Sequence, residues 1–120
     1  MNWFDVKAEW VCTDGLQWRK LINATTFHLV EVREYPDGYI YVSEIVDVND
    51  YDDNEKESII KSYYHSMEEF KASYPEEEIN GILAECIFEQ TQEMELMFCS
   101  SVFKTEDEAE SNALEYISKQ

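Results

Sequence analysis

Basic residues are scarce in this chain: 9 lysines and arginines stand against 27 aspartates and glutamates, a formal net charge of −18. A small domain is comfortable with a net charge of roughly 2 to 8 in magnitude. So large an excess repels itself in the compact state and steers oppositely charged partners from a distance. It argues against direct binding to DNA, RNA or an anionic membrane, and leaves a basic protein, a metal ion or no partner. Glycine is scarcer still. Three in 120 residues leave little for a phosphate-cradling loop, and GxGxxG, P-loop, GxSxG and HExxH patterns are all missing. No apolar run reaches 18 residues, so no transmembrane helix is expected. The opening MNWFDVKAEW lacks a basic start and a long apolar stretch, so no signal peptide is expected. The cysteines, Cys12, Cys86 and Cys99, are odd in number and show no CxxC spacing. That suits buried thiols in a reducing cytosol, hence a cytoplasmic protein.

What the chain does have is apolar material. A hydrophobic content of 44%, with 14% aromatics, is ample for one packed interior and argues against disorder. The expectation is a single acidic α+β domain over residues 1–120.

Residues 3–12 alternate as a half-buried strand, and Thr13-Asp14-Gly15 supplies a turn. LQWRKLI (16–22) fits a short strand or a single helical turn, and the break at Asn23-Ala24-Thr25 favours strand. TFHLVEVREY and YIYVSEIVDV then flank Pro36-Asp37-Gly38, read as a three-residue hairpin loop with glycine in the left-handed position. That loop sets Tyr35 opposite Tyr39, Arg33 opposite Tyr41 and Val32 opposite Val42. It gathers Val30, Val32, Ile40, Val42, Val46 and Val48 on a core face, and Phe27, Leu29, Tyr35, Tyr39 and Tyr41 on the other. Glu44 then falls on the core side, which calls for a bulge or another register.

Asn54 with Glu57 has capping-box spacing. Ile59, Ile60, Tyr63, Tyr64, Met67 and Phe70 continue at helical spacing to about Tyr74, where Pro75 stops the helix. PEEEING reads as a polar linker ending in an Asn-Gly turn. ILAECIFEQ and MELMFCSSVF read as a second hairpin around Thr91-Gln92-Glu93, and a two-residue loop at Gln92-Glu93 would set Cys86 opposite Cys99. Thr105 with Glu108 caps a closing helix whose inward stripe is Ala109, Ala113, Tyr116 and Ile117. The predicted order is β-β-β-β-α-β-β-α: a mostly antiparallel sheet of five or six strands with two helices packed on one face.

No cofactor motif is present, and a divalent cation on hard oxygen ligands outside an EF-hand is a third reading of the acidic loop. An EF-hand beginning at Asp50 needs glycine where Glu55 stands and glutamate where Lys61 stands. His28 and His65 are too far apart, and the cysteines too isolated, for structural zinc. No convergent set of nucleophile, base and oxyanion donor is visible, so an enzyme is not expected.

The acids are the functional lead. EIVDVNDYDDNEKE (44–57) holds seven carboxylates and one lysine, and Glu76-Glu77-Glu78 and Glu106-Asp107-Glu108 follow. The helix macrodipole stabilises first-turn acids by about 0.3 to 1 kcal/mol each, which explains 106–110, Glu55 and Glu57. It does not explain Asp47, Asp50, Asp52 and Asp53 before the helix, or Glu76 to Glu78 after it. Those acids could mimic a duplex, which carries a charge every ~1.7 Å along its axis and is met by Lys/Arg-lined grooves. Tyr35, Tyr39 and Tyr41 beside the turn would add aromatic anchors.

In size and charge the chain resembles two classes: phage or plasmid proteins that disable bacterial defence nucleases, and immunity proteins that neutralise basic nuclease toxins. The resemblance implies a stoichiometric inhibitor whose partner is a nuclease or another nucleic-acid-binding enzyme. Asp47, Asp50, Asp52, Asp53, Glu55, Glu57, Glu76, Glu77, Glu78 and the three tyrosines would form the contact. The alternative is an interaction or regulatory module whose acidity serves only solubility.

Overall fold

The computed structural model describes residues 10–12, 16–90 and 98–120. Within them the chain is α+β, built on an antiparallel sheet of five strands in the order of the sequence. The strands are β1 (Trp10–Cys12), β2 (Gln17–Asn23), β3 (Thr26–Tyr35), β4 (Gly38–Asp47) and β5 (Phe98–Cys99). Between β4 and β5 come a short 3-10 turn (Val48–Asp50) and helices α1 (Asp53–Lys61), α2 (Met67–Ser73) and α3 (Glu76–Gln90); α4 (Glu106–Ser118) follows β5. The stretch 16–22, which the break at Asn23-Ala24-Thr25 favours as strand, forms β2. The proposed strand over 3–9, the turn at 13–15 and the hairpin turn at 91–93 lie outside the described residues. Among the described residues, no helix is long and apolar enough to cross a membrane.

The β3–β4 register differs from the sequence expectation by one residue. Tyr35 pairs with Gly38, so the loop is Pro36-Asp37 alone, and Glu34, Val32 and Glu31 face Tyr39, Tyr41 and Val42. Gly38 belongs to the strand, not to a left-handed loop position. Its φ of 154° is open to glycine, and a Cβ there would collide with the Phe103 carbonyl oxygen. That close approach lets Tyr39 and Phe103 exchange backbone hydrogen bonds of 2.8 and 2.7 Å. Since opposite residues share a face, a slip of one moves every β3 side chain to the other side. The pairing runs without a bulge, and Glu44 lies opposite Leu29.

Both faces of the sheet are therefore apolar, and each has its own helices. Phe27, Leu29, Ile40, Val42 and Val46 pack with Val48, Ile60 of α1, Phe70 of α2 and Leu83, Ala84, Ile87 and Phe88 of α3. On the other side Trp10, Trp18 and Val30 pack against Ala113 and Ile117 of α4. Two helices on one face is thus corrected to three on one side and one on the other. The added helix comes from residues 76–90, read as linker and strand and in fact one helix. Pro75 precedes it, and its carbonyl accepts from Glu78 N–H at 2.9 Å. Gly81, Leu83, Ala84, Cys86, Ile87 and Phe88 are all buried. A segment buried nearly all round carries no clear stripe, and its periodicity cannot separate strand from helix. Gly81 makes no turn; it sits under the Arg19 guanidinium, which a Cβ would approach to 2.7 Å.

The predicted helix from Asn54 to Tyr74 is two helices. α1 ends at Lys61, and Ser66 caps α2 by accepting from Glu69 N–H at 3.1 Å. Serine at an N-cap satisfies an otherwise unpaired amide, which fixes a new start inside an apparently continuous stripe. α4 is capped by Thr105, which accepts from Glu108 N–H at 3.2 Å, in agreement with the sequence.

Candidate functional site

The acidic segments are organised by helix starts. Asp52, not Asn54, caps α1: its carboxylate accepts from Glu55 N–H at 2.8 Å, and Glu55 Oε1 accepts from Asp52 N–H at 3.1 Å. Aspartate caps as well as asparagine, so the earlier residue captures the capping box and Asp53 enters the first turn. Asp47 caps the 3-10 turn by accepting from Asn49 N–H at 2.9 Å. That amide, ahead of Thr25 and Thr26, holds its carboxyl below the usual carboxylate range. Glu76, Glu77 and Glu78 occupy the first turn of α3, where the macrodipole offsets part of their mutual repulsion. They do not trail a helix, as the sequence suggested; they begin one.

Three helices then bring separate acids together. A groove of about 680 Å³ runs between α1, α2 and α3, within the size range of ligand-binding clefts. Each helix supplies residues at helical spacing: Asp53, Lys56 and Glu57 from α1; Met67, Phe70 and Lys71 from α2; Glu76, Ile79, Asn80 and Leu83 from α3. Phe70 and Leu83 are buried and form the floor. Asp53 and Glu57 thus meet Glu76 across the groove, with Lys56 and Lys71 in the same walls. Glu57 is also held by Lys61 at 3.0 Å, an exposed pair one helical turn apart. Such pairs contribute about 0.3 to 0.5 kcal/mol.

The other acids do not enter this groove. Asp52 and Glu55 border a shallower depression with Tyr51 on another flank of α1, and Asp50, Glu77 and Glu78 are exposed. Nor do the three tyrosines form one surface. Tyr35 is exposed and shares its sheet face with Phe27 and Leu29, while the one-residue register change puts Tyr39 and Tyr41 on the α4 side. Tyr41 is enclosed by a ring cluster, 5.9 Å from Phe98, 6.3 Å from Phe103 and 5.4 Å from Tyr116.

Two polar clusters escaped the sequence reading. On the α4 side, Tyr116 donates to Ser43 Oγ at 3.0 Å, and Ser43 Oγ lies 2.6 Å from His28 Nε2. His28 and Ser43 are both buried. Burial first, and the Lys20 charge second, push the His28 pKa down. On the opposite side Gln17 donates to Glu31 at 3.2 Å and to Glu89 at 3.0 Å, and Arg33 donates to Glu31 and to the Phe88 carbonyl. Burial and the neighbouring Glu89 carboxyl, opposed by Arg33, push the Glu31 pKa up to about 8. These groups are spread over 88 and 72 residues of chain. No local pattern announces them.

The thiols are placed differently from expectation. Cys86 lies in α3 and does not face Cys99 across a hairpin; Cys99 pairs with Val42 in β5. Cys12 is exposed. Burial pushes the Cys86 thiol up to about 11, which leaves it a small apolar side chain at neutral pH. Among the described residues, no group of three or more His, Cys, Asp or Glu side chains is arranged to hold a metal ion. The chain matches no protein-family model, no curated protein and no solved structure.

Proposed function

We propose that this chain is a stoichiometric inhibitor that covers a basic nucleic-acid-binding surface of its target. It would act as phage-type anti-defence proteins, anti-CRISPR proteins among them, and nuclease immunity proteins do. The observation that carries the reading is the meeting of Asp53 and Glu57 with Glu76 across one groove. Acids separated by about 20 residues of sequence thereby line one groove, together with Lys56 and Lys71, and Asp50, Glu77 and Glu78 are exposed outside it. A surface of this kind suits a cleft lined with lysine and arginine, and releases that cleft's counterions as a nucleic acid would.

The experiment is affinity capture of bacterial lysate proteins on the immobilised chain at low and high salt. The expected result is a basic nuclease or other nucleic-acid-binding enzyme, retained at low salt and released at high salt. Changing Asp50, Asp53 and Glu77 to lysine should abolish its retention and its inhibition. Retention of a partner regardless of salt, or by the lysine variant, defeats the proposal.

A second reading has one observation in its favour. Asp47, Asp52 and Glu55 accept backbone hydrogen bonds at helix starts, so part of the acidity serves the fold. On that view the chain is an interaction module whose charge keeps it dissolved. The lysine variant would then keep its partner.

A further inference from the structure

The lining of the helical groove joins two chemistries. Met67 and Ile79 are partly buried and pack against the core beneath, while Asp53, Glu57 and Glu76 line the same space. An apolar wall with carboxylates beside it matches a side chain that is apolar along its stem and cationic at its tip. It matches an anion poorly, since three carboxylates line the groove against two lysines and exposed Glu77 and Glu78 adjoin it. A purely apolar ligand would have to displace water from those charges without replacing their hydrogen bonds, which is costly.

We propose that the groove between α1, α2 and α3 receives an arginine side chain of the partner, stem against Met67 and Ile79 and guanidinium among Asp53, Glu57 and Glu76. This rests on the reading of the chain as an inhibitor of a basic protein, and gives that reading a specific point of contact. Arginine suits the site better than lysine for three reasons. Its planar fork offers five donors, enough to satisfy more than one carboxylate. It is less strongly hydrated than an ammonium group, so entry beside apolar side chains costs less. And it keeps its charge when partly buried. Lys56 and Lys71 line the same space and Lys61 pairs with Glu57; the flexible stems of these lysines let their ammonium groups move towards solvent when a guanidinium enters.

The test needs no knowledge of the target. Two blocked tripeptides, acetyl-Gly-Arg-Gly-amide and acetyl-Gly-Lys-Gly-amide, are titrated into the whole chain and followed by amide NMR shifts. The arginine peptide should produce saturable shifts centred on Lys71, Ile79 and Asn80, with a Kd about tenfold below that of the lysine peptide. Glu57→Gln with Glu76→Gln, both at exposed positions, should raise that Kd about tenfold and leave the remaining spectrum folded. Equal affinity for the two peptides, shifts centred elsewhere, or no saturable shifts would overturn the assignment. If the peptide fails but salt-labile capture of a basic nucleic-acid enzyme persists, this inference falls and the inhibitor reading stands. If the peptide binds in the groove but no such enzyme is captured, the inhibitor reading falls alone.

Discussion

The guanidinium of Arg19, on β2, lies directly over Gly81 of α3, where a Cβ would come within 2.7 Å of it. From there Arg19 reaches Glu85 one helical turn further on and stands 5.8 Å from the Phe27 ring. Strand and helix are locked at this point because the helix has no side chain there.

Two effects of opposite sign meet at Gly81. Alanine is worth about 1 kcal/mol more than glycine inside a helix, but its methyl group must displace Arg19 from Glu85. Gly81→Ala alone should change stability by less than about 1 kcal/mol, because the helix gain offsets the lost contact. With Arg19→Ala already in place, the same change should stabilise by about 1 kcal/mol, since nothing opposes the gain. A denaturant double-mutant cycle measures the difference; additive effects would show that Arg19 does not use this space.

Gly38 gives a harsher result. Alanine there meets backbone, the Phe103 carbonyl, which cannot swing aside as Arg19 can, and it must also take a positive φ. Gly38→Ala should cost upwards of about 1 to 3 kcal/mol, read as a lower midpoint in urea. It should also weaken hydrogen-exchange protection at Tyr39 and Phe103.

The run Tyr116–Ser43–His28 is hydrogen-bonded throughout: Tyr116 donates to Ser43 Oγ, which lies 2.6 Å from Nε2 of His28. Burial and Lys20 keep His28 below its ordinary value of 6.5, so the unfolded chain takes up the proton more readily than the folded one. Stability from this site is full above about pH 6.5 and is lost as pH falls below it. Tyr116→Phe should cost about 1 kcal/mol. His28→Gln should flatten the acid-side decline in denaturation midpoint between pH 7 and 5; an unchanged slope would contradict the assignment.

Glu31 works in the other sense. Its carboxyl is raised from 4.5 to about 8 by burial and Glu89, against Arg33, so the folded chain holds a proton that the unfolded chain releases. The contribution is complete below pH 4.5 and is lost as pH rises through 8. Glu31→Gln keeps the shape and removes the titration. The variant should therefore gain on the parent steadily between pH 5 and 8.5, with the two pH profiles of urea midpoint as the comparison. Parallel profiles would refute it.

The architecture was legible where the local pattern is plain. The two arms of the central hairpin are β-rich runs on either side of Pro36-Asp37, and α4, with its Thr105 cap, shows a polar side whose period reveals it. α3 has little polar surface from Gly81 to Phe88, and Asn80-Gly81 imitates a turn, so the segment read as linker and strand. The hairpin register depended on Phe103 approaching Gly38, a contact across 65 residues that no local rule contains. The same limit applies to the groove. Its acids were visible one by one, but their meeting depends on α1 and α3 lying side by side, and α3 was not recognised as a helix.

The central β3–β4 hairpin is shared by two interiors that otherwise have no buried residue in common. Leu29 and Val30, neighbours in the chain and each wholly buried, answer to different cores. Loosening the small α4 core therefore leaves the α1–α3 core closed, so the molecule can open in two stages. Amides of α4 should exchange with solvent sooner than those of α3. Since the groove is lined wholly by the larger core's helices, a molecule with α4 detached would keep those three helices together.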